Sequence, residues 1–145
     1  LSKSLLCSMT PKGQTARWLA SINHRELVLV AEHDKHGIVA MASAGAARDR
    51  GLGFDGEVFT LYVDPSHFGC GAGRQLLTGT FSELRKRGFR SCVIWAHAKN
   101  NARFFYEAMG GRLVAGRTAR MMGDAVPEAA FGWKQLVLAE RSVAR

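Results

Sequence analysis

A strand that runs into a glycine-rich loop constrains this chain more than any other feature. Residues 57–63 alternate between polar and apolar side chains and are rich in β-branched and aromatic ones, which predicts a strand. Asp64-Pro65 ends it, because proline donates no hydrogen bond and restricts the residue before it. Three glycines follow within residues 69–73, and leucine and phenylalanine then recur at helical spacing. Such a loop favours an anion, because its backbone N–H groups and the helix dipole attract negative charge.

The spacing excludes two well-known phosphate loops. A dinucleotide fingerprint places G-x-G-x-x-G directly after the strand and an acidic residue about twenty positions further on. Here five residues separate Val63 from Gly69, and position 93 is valine. A P-loop needs Gly-Lys-Ser/Thr, whereas Gly73 is followed by Arg74-Gln75. The loop therefore belongs to another class of anion site.

Composition indicates one soluble globular domain over residues 1–145. Hydrophobic residues make up 47% and charged residues 22% of the chain, which are ordinary values. No apolar run approaches the roughly 18–20 residues of a membrane span. The three cysteines, at positions 7, 70 and 92, form neither a disulfide framework nor a zinc pattern. They favour a reducing, cytoplasmic compartment, and no metal site is predicted.

The net charge of +8 suits a nucleic acid, an anionic membrane or a small polyanionic ligand. The basic residues are dispersed, and only residues 85–90 are dense in arginine and lysine. That segment lies at a predicted helix end, where cations are stabilised anyway. A cofactor with several phosphates explains part of the excess, so we expect neither a specific nucleic acid nor a membrane as partner.

The remaining patterns predict a mixed order of helices and strands. Thr10-Pro11 is typical of a helix start, with a helix running towards Ile22. Because a helix separates them, the strands at 57–63 and 89–96 should be parallel. Pro127 argues against pairing within the last hairpin. The other predicted elements are strands 26–31 and 38–44, helix 74–87 with Gly88 as its cap, helix 101–109, and a hairpin of strands 113–122 and 128–138.

Two motifs resemble the GNAT superfamily of acyl-CoA-dependent N-acyltransferases. In the pyrophosphate loop of that family, Q/R-x-x-G-x-G/A, Gly71 and Gly73 match and Phe68 departs from the usual Gln or Arg. Residues 100–111 resemble the second motif, Asn-x-Ala-Arg-x-Phe-Tyr-Glu-x-x-Gly-Gly, of one branch of the family. Phe131-Gly132-Trp133 is similar to the same branch. The resemblance covers roughly residues 15–138.

The resemblance implies an α+β fold with a mixed sheet of about six strands, mostly antiparallel, flanked by helices. The central parallel pair, 57–63 and 90–96, should splay apart. We expect the first strand of the family, and a helix with it, to be absent. In such folds the pantetheine arm pairs with the free backbone of the splayed strand as an added strand would. The Val63 N–H would then stabilise the oxyanion, a contribution on the order of 3 kcal/mol.

The resemblance also implies the site residues. Tyr106 would give a proton to the departing thiolate, and Glu57 would act as general base. Each has a structural alternative: Tyr106 as core, Glu57 as a strand opener, and Asn100 as a helix cap. His97, His67 and Cys70 are weaker candidates for chemistry. The implied cofactor-binding residues are Leu61, Tyr62, Val63, Phe68, Gly69, Cys70, Gly71, Ala72, Gly73, Arg74, Asn100 and Arg103.

The function implied is transfer of an acetyl group from acetyl-CoA to a primary amine of a small molecule or peptide. The amine would attack directly in a ternary complex. The resemblance is also compatible with a homodimer. The alternative is a module that binds CoA without transferring its acetyl group, since the acceptor site of the family is partly built from helices that this chain lacks. A nucleic-acid-binding domain is supported by charge alone.

Overall fold

The computed structural model describes residues 4–9, 14–20, 26–67 and 71–137. Its one sheet has eight strands in the order β1-β2-β3-β4-β5-β6-β8-β7. The strands are β1 (Ser4–Met9), β2 (Gln14–Ala20), β3 (Glu26–His33), β4 (Gly37–Ala46), β5 (Gly56–Val63), β6 (Cys92–His97), β7 (Arg112–Met121) and β8 (Asp124–Trp133). The helices are α1 (Ala72–Lys86) and α2 (Ala102–Ala108), with 3₁₀ turns at Arg50–Leu52 and Pro65–His67.

The α+β fold and the mostly antiparallel sheet with one parallel pair, β5 and β6, are as predicted. The helix predicted over residues 10–22 is wrong. Residues 14–20 form β2, which pairs with β3 from Gln14↔His33 to Ala20↔Leu27, so pairing along a neighbouring strand outweighs a weak helical signal. Thr10-Pro11 lies outside the described residues. Two strands therefore precede β3, so the expected absence of a first strand is wrong, and the sheet has eight strands rather than about six.

The last hairpin also differs from the prediction. β8 runs from Asp124 to Trp133 and includes Pro127, which pairs opposite Thr118 of β7. Pairing of β8 with β6 ends at His97↔Glu128. Pro127 therefore lies just past the last register pair, where its carbonyl accepts the Ala98 N–H at 2.9 Å and its missing N–H interrupts no hydrogen bond to β6 itself. The predicted strand continued to residue 138, but β8 ends five residues earlier, at Trp133.

Helix α1 packs on one of the two faces of the sheet. Its buried residues Leu76 and Leu77 pack on alternate side chains of the central strands, among them Leu29 and Ile94. We call this side the α1 face. Because strand side chains alternate, the residues between them lie on the opposite side, the open face, where Val93 packs with Phe54 and Ala130. In the described part of the chain, no helix has the length and apolarity needed to cross a membrane.

Candidate active site

The parallel strands β5 and β6 pair at their starts and then separate. Their register consists of Gly56↔Cys92, Glu57↔Val93 and Val58↔Ile94. β5 continues to Val63 beside β4, and β6 continues to His97 beside β8. A wedge therefore opens between the second halves of the two strands, as the family resemblance implied.

A bulge in β5 lies where the wedge begins. The register with β4 passes from Ala44↔Val58 to Ser43↔Thr60, which leaves Phe59 as an extra residue on β5. A bulge bends its strand and increases the local twist. Because Phe59 directly follows the last residue paired with β6, the bulge turns β5 away from its neighbour and gives a physical cause for the separation.

The starts of the two strands are held together by Asp55. Its carboxylate accepts the N–H of Arg90 at 3.0 Å and both the N–H and the hydroxyl of Ser91 at 2.9 Å. Gly56 donates its N–H to the Ser91 carbonyl at 3.1 Å. Burial acts to raise the pKa of Asp55, but these hydrogen bonds outweigh it and lower the pKa below its usual value. The wedge is thus closed at this end.

Asp55→Asn is expected to reduce the free energy of unfolding by about 1–2 kcal/mol at pH 7, since hydrogen bonds to a charged group are lost. The pKa of Asp55 is lowered on folding. Its contribution is therefore fully present above the unfolded pKa of about 3.9 and disappears as the pH falls through the folded pKa. Urea titrations from pH 7 to pH 3 should show the gap to wild type closing only in the acidic range.

Asp49→Asn is the matched control for this prediction. Asp49 lies on the same loop, and its carboxylate caps a single N–H, that of Gly51, at 2.9 Å. A gap for Asp55→Asn that is the same at every pH, or one no larger than that of Asp49→Asn, would show that the Asp55 carboxylate does not hold the strands.

Helix α1 starts at the open end of the wedge. Gly71, the N-cap residue, has φ of 88°, a left-handed conformation that favours glycine, and as a glycine it has no side chain with which to cap the helix. A Cβ on Gly73 would lie 3.3 Å from Phe105 Cζ and 3.6 Å from Val63 Cγ2. The helix start, the end of β5 and α2 therefore meet here. Ala72 is buried beneath this corner, while Phe68, Gly69 and Cys70 lie outside the described residues.

The polar candidates at this end of the sheet are exposed. Asn100 follows β6, and its Oδ1 accepts the Ala102 N–H at 2.9 Å, so the predicted capping role is present. Its side-chain NH₂ can donate a hydrogen bond to an amide carbonyl of a ligand. Arg103 donates to the Ala98 carbonyl at 3.4 Å, and Arg74 is exposed in the first turn of α1. All three suit a ligand that carries amides and phosphates.

Tyr106 is a residue of α2, and its side chain is buried in the core. Its ring lies 5.6 Å from that of Phe105, 5.9 Å from Phe131 and 6.4 Å from Trp133, measured between centroids. Burial raises the pKa of Tyr106 to about 12. Among the described residues, its hydroxyl has no hydrogen-bond partner. The phenol therefore keeps its proton at neutral pH and has that proton to offer to another group.

Glu57 is also buried, with 2% of its surface exposed. Its Oε1 accepts the backbone N–H of Arg48 at 3.0 Å, and its Oε2 accepts from Arg48 Nη2 at 2.7 Å. The same guanidinium lies 5.0 Å from the centroid of the Phe59 ring. No sequence pattern pointed to Arg48, which reaches Glu57 only because the connection between β4 and β5 folds back.

A second charged group lies on the open face and was missed from the sequence. Arg117 of β7 stacks 3.8 Å over the centroid of the Trp95 ring and donates to Glu128 at 2.8 Å. Alternation within each strand was readable, but the register that brings β6, β7 and β8 together was not.

Two other residues near the wedge make local contacts. His97 is an exposed residue whose Nδ1 accepts the Lys99 N–H, and Cys92 is a buried free cysteine whose thiol pKa is raised by burial.

Comparisons with known proteins agree with this geometry. The uncharacterized N-acetyltransferase YuaI of Bacillus subtilis is 30% identical over 130 residues, with 82% of this chain and 75% of YuaI covered. An N-acetyltransferase from Staphylococcus aureus has a similar fold, with a TM-score of 0.63, 22% identity, and coverage of 79% and 69%. YncA of Salmonella typhimurium, solved with its cofactor acetyl-CoA, has a TM-score of 0.62 at 27% identity, and 77% of this chain spans 65% of that one. Residues 5–111 match the Acetyltransferase (GNAT) family, and the chain therefore belongs to that family.

Proposed function

We propose that this chain transfers an acetyl group from acetyl-CoA to a primary amine, which attacks directly in a ternary complex. The observation that carries the proposal is the wedge between β5 and β6, closed at the strand starts and meeting the start of α1 at its open end. The similar structure of YncA was solved with acetyl-CoA as its cofactor, which supports the same cofactor here.

The residues around the wedge fit the chemistry of acetyl-CoA. Beyond Val58, the edge of β5 that faces β6 has no register partner in β6. The backbone N–H and C=O groups along that edge therefore need another hydrogen-bond partner. An extended amide-bearing arm supplies one when it lies along the edge as an added strand. The start of α1, a helix of 15 residues whose N-cap is Gly71, offers N–H groups and a favourable dipole to a diphosphate.

The proposed holding residues follow from that fit. The backbone groups of Leu61 and Val63 would bind the arm, while those of Tyr62, which lies between them, point to β4. Gly71, where an added Cβ would meet nothing within 4 Å, would let the diphosphate approach the helix start, and Gly73, which packs against α2, would offer its backbone N–H. Acetyl-CoA, when bound, supplies an acetyl group activated as a thioester. The Val63 N–H lies at the end of β5 and is the proposed donor to the acyl oxygen as negative charge develops there.

The reaction moves one proton from the amine to the departing sulfur. Tyr106 is the proposed donor on the sulfur side. Because its pKa is raised to about 12, the phenol is always protonated when the reaction begins. A thiol has an ordinary pKa of about 8.5, so the phenol stabilises the departing thiolate as a hydrogen-bond donor, and the sulfur takes its proton from solvent. The amine must lose its proton on the other side of the wedge.

Glu57 is the proposed acceptor of the amine proton, and the structure sets a condition on that role. Glu57 lies on the open face, away from α1, and with 2% of its surface exposed it is not in direct reach of an amine. Its two oxygens are held by Arg48, although each carboxylate oxygen can accept more than one hydrogen bond. Glu57 can therefore act only through a proton path that leaves this ion pair in place. The carboxylate of Glu128 lies on the same face.

The class of amine is tested with a panel. One similar protein of Haemophilus influenzae is a ribosomal protein bS18-alanine N-acetyltransferase, 30% identical over 56 residues, with 39% of this chain and 38% of that protein covered. The panel should thus contain peptides with a free N-terminal alanine as well as small primary amines. Release of free thiol from acetyl-CoA is followed for each, with mass spectrometry of the product.

We expect at least one member of the panel to raise thiol release above its rate without amine and to gain one acetyl group. The alternative, a module that only holds CoA, predicts saturable binding of acetyl-CoA with no amine acetylated. Absence of acetyl-CoA binding itself would contradict both. Binding by isothermal titration calorimetry and turnover are therefore measured on the same preparation.

A further inference from the structure

Three histidine side chains come together at the edge of the sheet. His33 ends β3, His36 lies in the turn before β4, and His67 ends the 3₁₀ turn that follows β5. Their ring centroids are 4.6, 5.4 and 5.3 Å apart. One nitrogen from each ring lies within 4.8 Å of the others. The spacing along the chain matches no zinc motif, so the cluster arises only because β4 places the β3–β4 turn beside the end of β5.

A hydrogen-bonded chain behind His67 defines which of its nitrogens carries the proton. The Ser66 hydroxyl donates to Asp64 Oδ1 at 2.8 Å and lies 3.0 Å from His67 Nδ1. A carboxylate can only accept, so the one hydroxyl proton goes to Asp64, and the Ser66 oxygen accepts from Nδ1–H of His67. The lone pair of neutral His67 is then on Nε2. Metal-binding histidines have the same arrangement, with one nitrogen donating a hydrogen bond to a neighbouring acceptor and the other bound to the ion.

We propose that His33, His36 and His67 bind a divalent transition-metal ion, Zn²⁺ in the first instance. Neutral imidazole suits zinc, and three histidines leave a fourth tetrahedral position open. Zinc–nitrogen bonds of about 2.0–2.1 Å put tetrahedral ligand atoms roughly 3.3 Å apart. The nitrogens, now within 4.8 Å, reach that spacing by rotation of side chains, and His36 is exposed and able to turn.

Binding of the ion would break one hydrogen bond and join two segments of the chain. His33 Nδ1 accepts the Lys35 N–H at 3.1 Å, an exposed hydrogen bond that must be given up when His33 binds the ion. In return, the ion joins the β3–β4 turn to the segment directly before residues 68–73. The proposal concerns the chain's own side chains and does not depend on acetyl transfer.

The test uses the full chain without an affinity tag, stripped of metal and free of CoA, whose thiol would itself bind zinc. Titration calorimetry with Zn²⁺ should show one ion per chain, and Co²⁺ in its place should give the visible absorption of a tetrahedral site. We expect His36→Ala and His67→Ala each to weaken zinc binding at least about tenfold and to abolish the cobalt spectrum. Ser66→Ala should weaken binding less than either.

His97→Ala is the matched control. His97 is exposed, and its Nδ1 accepts the N–H of Lys99 at 3.1 Å, just as His33 accepts from Lys35, but it lies outside the cluster. Its variant should bind zinc as wild type does. Equal weakening in His97→Ala, or absence of saturable binding by a wild-type chain with a native circular-dichroism spectrum, would overturn the proposal. Circular dichroism of each histidine variant excludes loss of the fold as the cause.

Discussion

Tyr106→Phe is expected to lower kcat by about 100-fold while leaving the affinity for acetyl-CoA unchanged. The substitution removes only the hydroxyl, and general-acid groups typically contribute about 10²–10⁴-fold. The ring contacts with Phe105, Phe131 and Trp133 do not involve the hydroxyl. The melting temperature should therefore stay close to that of wild type. Steady-state kinetics with the best amine of the panel, together with a thermal melt, measure both quantities.

The pH profile adds a second test of the same residue. Because burial raises the pKa of Tyr106 to about 12, ionisation of this phenol should produce no falling limb in the rate between pH 7 and about pH 10. Tyr106→Phe should reduce the rate by the same factor throughout that range. A wild-type rate for the variant would contradict the proposed role, and a large drop in melting temperature would show that the hydroxyl is structural.

Arg48→Met is expected to reduce the free energy of unfolding by about 2–3 kcal/mol. Removing one partner of a buried ion pair leaves the other charge desolvated, which costs about 3–5 kcal/mol for a fully buried pair. Here the Glu57 side chain is 2% exposed and that of Arg48 is 64% exposed, so solvent reduces the cost. Urea unfolding of the variant at neutral pH measures the difference.

Glu57→Gln and the double variant complete the comparison. Gln keeps the size of Glu57 and its oxygen can still accept the Arg48 N–H, so the single variant should lose less, about 1 kcal/mol. The double variant should be more stable than Arg48→Met alone, because no buried charge is then left unpaired. If the two single losses simply add in the double variant, the two side chains are not coupled. A loss of kcat in Glu57→Gln that exceeds the loss in Arg48→Met would support Glu57 as the base.

The sequence predicted the parts of this fold that are determined locally. The strand from Glu57 to Val63 and the helix ending before Gly88 lie within one or two residues of their predicted places. Helix α2 and its Tyr106 were also located from the motif at residues 100–111. In these segments the pattern of side chains, the turn residues and the helix caps all indicate the same structure.

What depends on distant pairing could not be predicted. Residues 14–20 form a strand because β3 lies beside them, and the bulge of β5 lies at Phe59 because of the register with β4. The ion pair of Glu57 with Arg48 requires the loop between β4 and β5 to fold back. The three histidines likewise meet only through the order of three strands. No local pattern of residues encodes these contacts.

Hydrogen–deuterium exchange with and without acetyl-CoA tests the central claim, that the separated half of β5 and the start of α1 hold the cofactor. Saturating acetyl-CoA should slow exchange in peptides covering residues 59–67 and 71–77, because backbone N–H groups in both segments gain hydrogen-bond partners. A peptide from β3, residues 26–33, is paired on both sides and should not change. Saturation by acetyl-CoA with unaltered exchange in residues 59–67 would contradict the account.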